Sequence, residues 1–115
     1  MTEKRRLVIV ESPFKGKDSE EQEENIRYAR ACLRDCIVRH NEAPFASHLL
    51  YTQEGILNDA DLGERMQGIE TGFTWRRAAE ATIIYTDRGI SEGMKYGIKD
   101  AEKIGQVIEY RKLPK

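Results

Sequence analysis

At 115 residues, with 34% charged residues and a formal net charge of −1, the chain is sized for one domain, 1–115, with a small core. That near-neutral balance excludes a general electrostatic case for nucleic acid or for a membrane surface. Nothing approaches the ~18 apolar residues of a membrane span, and no apolar run follows the N-terminal charges as a secretory leader requires. Cys32 and Cys36, four apart on an expected helix, read as reduced, buried thiols, so a soluble cytoplasmic protein is expected. The basic clusters Lys4-Arg5-Arg6 and Arg76-Arg77 read as solvated flanks.

Leu7-Val8-Ile9-Val10, within 5–11, is a continuous apolar run suited to a strand buried on both faces. Ser12-Pro13-Phe14-Lys15-Gly16-Lys17 breaks it. Asp18-Ser19-Glu20-Glu21 opens a helix, with acids where the dipole favours them. Ile26, Ala29, Leu33, Cys36 and Ile37 keep helical spacing to about His40. Residues 43–46 are a short strand candidate, and 47–56 read as loop. Leu57 to Arg77 reads helical through Leu62, Met66, Ile69 and Phe73, with a bend expected from Gly63, Gly68 and Gly72. A strand over 80–85 follows. A helix faced by Ile90, Met94, Gly97, Ile98, Ala101 and Ile104 comes next, stopped by Gly105. Val107 to Tyr110 is the last strand.

Strands alternating with helices predict an α/β fold: a small doubly wound parallel sheet with helices on both faces. Ligands of such sheets bind at the C-terminal strand ends. Three segments are therefore expected at a site: 11–17, 45–51 and 86–94. The last follows a strand, carries glycines and opens a helix, which suits a sugar or an anion.

Gly89-Ile90-Ser91-Glu92-Gly93 has the spacing of a nucleophile elbow, but no histidine follows Ser91 in the chain. Ser91 reads better as a helix cap or a ligand hydrogen bonder. Gly16-Lys17 lacks the upstream glycine and the following Ser or Thr of a phosphate-binding loop. Cys32, Cys36 and His40 lie on one helix stripe too long to close a tetrahedron, so no metal is expected. His48 reads as a ligand hydrogen bonder or proton shuttle. Asp87, at a strand end, reads as an acceptor for a ribose hydroxyl or base amine.

Val10-Glu11-Ser12-Pro13-Phe14, Asn25, and Asp87 followed by Gly89 to Gly97 resemble motifs of the nucleoside 2-deoxyribosyltransferase-like family, which includes small phage-encoded relatives. The resemblance runs from Leu7 to Tyr110. It implies pocket walls at Ser12, Pro13, Phe14, Asp87, Gly89, Ser91 and Gly93; with His48, Met94 and Lys95 these make the expected ligand site. The family's nucleophilic glutamate falls at Lys95, and its supporting tyrosine at Ile9. An ammonium cannot form a glycosyl ester. Facing the pocket, Lys95 would instead favour phosphorylated ligands.

Two expectations follow for function. The first is non-catalytic binding, or sequestration, of a nucleotide or nucleoside derivative with no cofactor. A phage protein acting as an anti-defence sponge for a cyclic ADP-ribose-type signal fits that description. The second is an N-glycosidase or deoxyribosyltransferase whose carboxylate has moved to Glu11 or Glu92. An interaction module without a small ligand is a third. Family relatives often assemble, so a homo-oligomer is expected, with Met66 to Trp75 as its candidate interface.

Overall fold

The computed structural model describes residues 4–115; the first three, part of the stretch read for a leader, lie outside the described residues. The apolar run becomes the middle of β1 (Arg6–Glu11), with Val8, Ile9 and Val10 buried. In α1 (Ser19–His40), the Asp18 side chain accepts from the Glu21 backbone N–H at 2.8 Å, and Asn41 ends the helix in a left-handed conformation with φ 52°. Next comes β2 (Glu42–Phe45), whose Pro44 has no N–H to donate and sits in an edge strand, where that loss is tolerated.

Three expectations need correcting here. The segment after β2 is not all loop, since Ser47–Leu50 makes one helical turn, α2. The middle helix, α3 (Leu62–Ala78), begins at Leu62 rather than Leu57, because Asp61 caps it by accepting from the Glu64 N–H at 3.2 Å. Its glycines do not break it. Gly72 is where α3 crosses α2, and a Cβ there would stand 2.6 Å from Ser47 Oγ. Beyond α3 lie the fully buried β3 (Ala81–Tyr85), α4 (Glu92–Lys103) and β4 (Val107–Arg111). Ser91 caps α4 by accepting from the Met94 N–H at 3.3 Å, and Gly105 ends the turn beyond it with φ 67°.

All four strands are parallel, in the order β2-β1-β3-β4. Val8 pairs with Ala81, and Val10 with Ile83. Alternation along the strands therefore sends Val8, Val10, Ala81, Ile83 and Tyr85 to one face, where Cys32 and Cys36 of α1 cover them. Ile9, Glu11, Thr82 and Ile84 go to the other face, under α3 and α4. On the α1 face, Glu42 accepts from Arg111 and from Arg6 at 2.7 Å each. Burial pushes the Glu42 carboxyl up, but the two guanidiniums outweigh it and hold the group at about 2. The chain leaves β1 for β2 on one side and later returns to place β3 on the other. That reversal puts a crevice above the C-terminal ends of β1 and β3.

Candidate functional site

The crevice is a cleft of about 400 Å3 between α3 and α4. Glu11, Ser12, Phe14 and Lys15 enter from the end of β1, and Ser47 and His48 from α2. One wall is α3, through Arg65, Ile69, Gly72, Phe73 and Arg76; the other is α4, through Ser91, Gly93, Met94, Tyr96 and Gly97. Asp59 and Glu92 also line the cleft. All three expected loops contribute.

The floor is a charge network. Arg76 is 2% exposed and uses each of its nitrogens: Nη2 donates to Glu11 Oε2 at 2.6 Å, Nε to Asp100 Oδ2 at 3.1 Å and Nη1 to Thr82 Oγ1 at 2.7 Å. Arg77 fixes Asp100 from the other side at 2.8 Å. Among the described residues nothing donates to Glu11 Oε1, and the carboxylate lines the cleft. Burial raises the Glu11 carboxyl above its ordinary value, beyond what Arg76 offsets, and the nearby Asp100 charge adds to the rise. Gly97 is essential to the arrangement, because a Cβ there would collide with the Glu11 carboxylate and with Arg76.

Above the floor, Ser12 Oγ lies 3.0 Å from His48 Nε2. The Phe14 ring meets the imidazole edge-on at 6.2 Å between centroids. Burial lowers the His48 pKa to about 4, so the ring is neutral at pH 7. The N-terminus of α4 opens on the same space, and an Arg65 nitrogen would lie 3.9 Å from a Cβ on Gly93. Among the described residues Arg65 has no ion-pair partner. A helix N-terminus and a guanidinium thus face one point, a combination suited to an anion.

Several expected residues lie elsewhere. Lys95 is outside the cleft, half-exposed and paired with Glu92 at 3.0 Å. Met94 and Gly97 are the positions of α4 that turn inward, and a residue one step from Met94 is rotated off that face. Pro13, Asp87 and Gly89 line a neighbouring shallow depression. Asp87 accepts from the Tyr28 hydroxyl at 2.6 Å and from the Leu113 N–H at 3.1 Å, so it ties α1 to the C-terminal tail. Asn25 likewise serves the frame, donating to the Phe14 carbonyl at 3.2 Å. Ser91 is the cap of α4, not a nucleophile held by a base. Ser12, Phe14, His48, Ser91, Gly93 and Met94, among the residues expected at a ligand, line the cleft. Glu11 is on the floor, whereas Glu92 is 84% exposed along its side chain.

Arg76 also overturns an expectation, being buried rather than a solvated flank. Arg65, Ile69, Gly72, Phe73 and Arg76 follow the spacing of a single helix stripe, so both arginines continue an otherwise apolar face. That was the available signal. Burial pushes the Cys32 and Cys36 thiols up, to about 12 and about 11, which leaves them unreactive packing groups on the far face of the sheet. No helix among the described residues is long and apolar enough to cross a membrane.

A family model described as a domain of unknown function (DUF7768) matches residues 6–111. No curated protein and no solved structure matches the chain.

Proposed function

Since the chain belongs to the DUF7768 family, whose function is unknown, its chemistry must come from its own cleft, and we propose that this cleft binds a nucleotide or nucleoside derivative without turning it over. The observation that carries the proposal is the Glu11 carboxylate, which lines the cleft, clamped by Arg76 through one oxygen while the other accepts no hydrogen bond among the described residues. A ribose hydroxyl pair donates to such a carboxylate. Phe14, Phe73 and Tyr96 offer aromatic surface for a base. Arg65 and the α4 N-terminus offer a phosphate site, the part sequence reasoning had given to Lys95. The resemblance to nucleoside 2-deoxyribosyltransferase-like proteins supports the same ligand class.

The proposed setting is cytoplasmic, in keeping with two free buried thiols. A phage sponge for a cyclic ADP-ribose-type defence signal is one protein of this description. A homo-oligomer is proposed through the outer face of α3, where Trp75 is 48% exposed, stacked on Phe45 at 4.7 Å and bonded to the Tyr51 hydroxyl.

A second reading is favoured by one feature, the raised pKa of Glu11. As a base it would take a proton from water attacking the anomeric carbon. The C–N bond would break, and the base would leave with the bonding pair and gain a proton. One experiment separates the readings. Nucleosides, mononucleotides, ADP-ribose and cyclic ADP-ribose isomers are screened by thermal shift, and bound material is identified by mass spectrometry after denaturation. Intact ligand with marked stabilisation supports binding. Free base plus sugar, lost in Glu11→Gln, supports cleavage. No stabilisation by any of these compounds would refute both.

A further inference from the structure

The cleft does not end at its rim. An open groove of about 790 Å3 continues from it, between the segment 52–60 and the start of α1, and shares Phe14, Lys15 and Asp59 with it. Its far part holds a mixture of donors and acceptors. Asn58 uses its Oδ1 on the Ala60 N–H at 3.0 Å, which leaves its NH2 group available. Among the described residues the side chains of Gln22 and Glu54, which also line the groove, make no hydrogen bond or ion pair. Ile56 and Leu57 add an apolar strip. Amide donors and carboxylate acceptors beside an apolar strip match a sugar ring, whose hydroxyls both donate and accept and whose C–H face is apolar. An anion is a poor fit to this part, since Glu54 and Glu64 border it; at the junction with the cleft Lys15 supplies positive charge, with Asp59 on the same stretch.

We infer that the ligand has two lobes: a nucleoside in the cleft and a second sugar in the groove, joined by a diphosphate held between the Arg65 and α4 site and Lys15. The ligand class is a nucleotide esterified through phosphate to a second sugar, and this rests on the nucleotide-binding function proposed above. A mononucleotide fills the cleft and leaves the groove to water.

The test is calorimetric titration of the full chain with same-base pairs: AMP against ADP-ribose, UMP against UDP-glucose, GMP against GDP-mannose. In at least one pair the two-lobed member is expected to bind about tenfold more tightly, the equivalent of one or two net hydrogen bonds. Asn58→Ala should remove that advantage and leave mononucleotide affinity unchanged. Gln22→Ala, on the rigid α1, gives the same reading if the Asn58 change disturbs its turn. Equal affinity within every pair, or an advantage that survives both substitutions, overturns the two-lobed ligand while leaving nucleotide binding intact. Absence of binding by every member of every pair overturns nucleotide binding as well.

Discussion

His48 offers a sharp test of the cleft's electrostatics. Burial lowers its pKa from 6.5 to about 4, so the folded protein resists protonating it and the unfolded chain does not. The sign follows from linkage: stability is full above pH 6.5 and is lost as the pH falls toward 4. The whole gap corresponds to a ceiling of about 3 kcal/mol, reduced by whatever solvent reaches the half-buried ring. Between pH 7.5 and 5.5 the unfolded chain passes from about one-tenth to about nine-tenths protonated at this site. The resulting loss is at most about 1.4 kcal/mol. Urea unfolding at the two pH values should reveal it in the wild type but not in His48→Gln. The substitution also disturbs the contact with Ser12, but that offset is the same at both pH values and cancels in the comparison. Glu11, whose pKa is raised, acts with the opposite sign and is common to both proteins. An equal loss in wild type and His48→Gln would refute the neutral, half-buried imidazole.

Three further outcomes are expected. Glu42→Gln should cost about 3 kcal/mol at pH 7 by urea unfolding, because it strips two guanidiniums of their partner. Because the folded pKa of Glu42 is depressed, its contribution is present above pH 4.5 and fades as the pH drops toward 2, so the gap between mutant and wild type should narrow in acid. Gly97→Ala should destabilise by about 1–3 kcal/mol through overpacking against Glu11 and Arg76. It should also weaken nucleotide binding at least as much as Glu11→Gln does, and normal affinity in a folded Gly97→Ala protein would show that the Glu11–Arg76 geometry is not needed. Lys95→Ala should change stability by less than about 0.5 kcal/mol and leave nucleotide affinity unaltered, since its partner Glu92 is exposed.

Much of the frame was written locally. The run 7–10 names its own strand, and Asp18 and Asn41 mark both ends of α1, because caps and apolar runs act over a few residues. The alternation of strands and helices yielded the parallel sheet, and the three loops above the strand ends were identified as contributors to the cleft. Local patterns could not say which side of each helix meets the sheet. Lys95 and Met94 are neighbours in the chain, yet one pairs with Glu92 in solvent and the other lines the cleft. Arg76 looked like a surface charge until Glu11, Thr82 and Asp100 came together around it from β1, β3 and α4. A buried guanidinium is stable only with such partners, and partners from distant segments exist only once the chain has folded. Residue chemistry and helical period are properties of the sequence; the cleft's charge balance, set by which side chains converge, is decided by the tertiary structure.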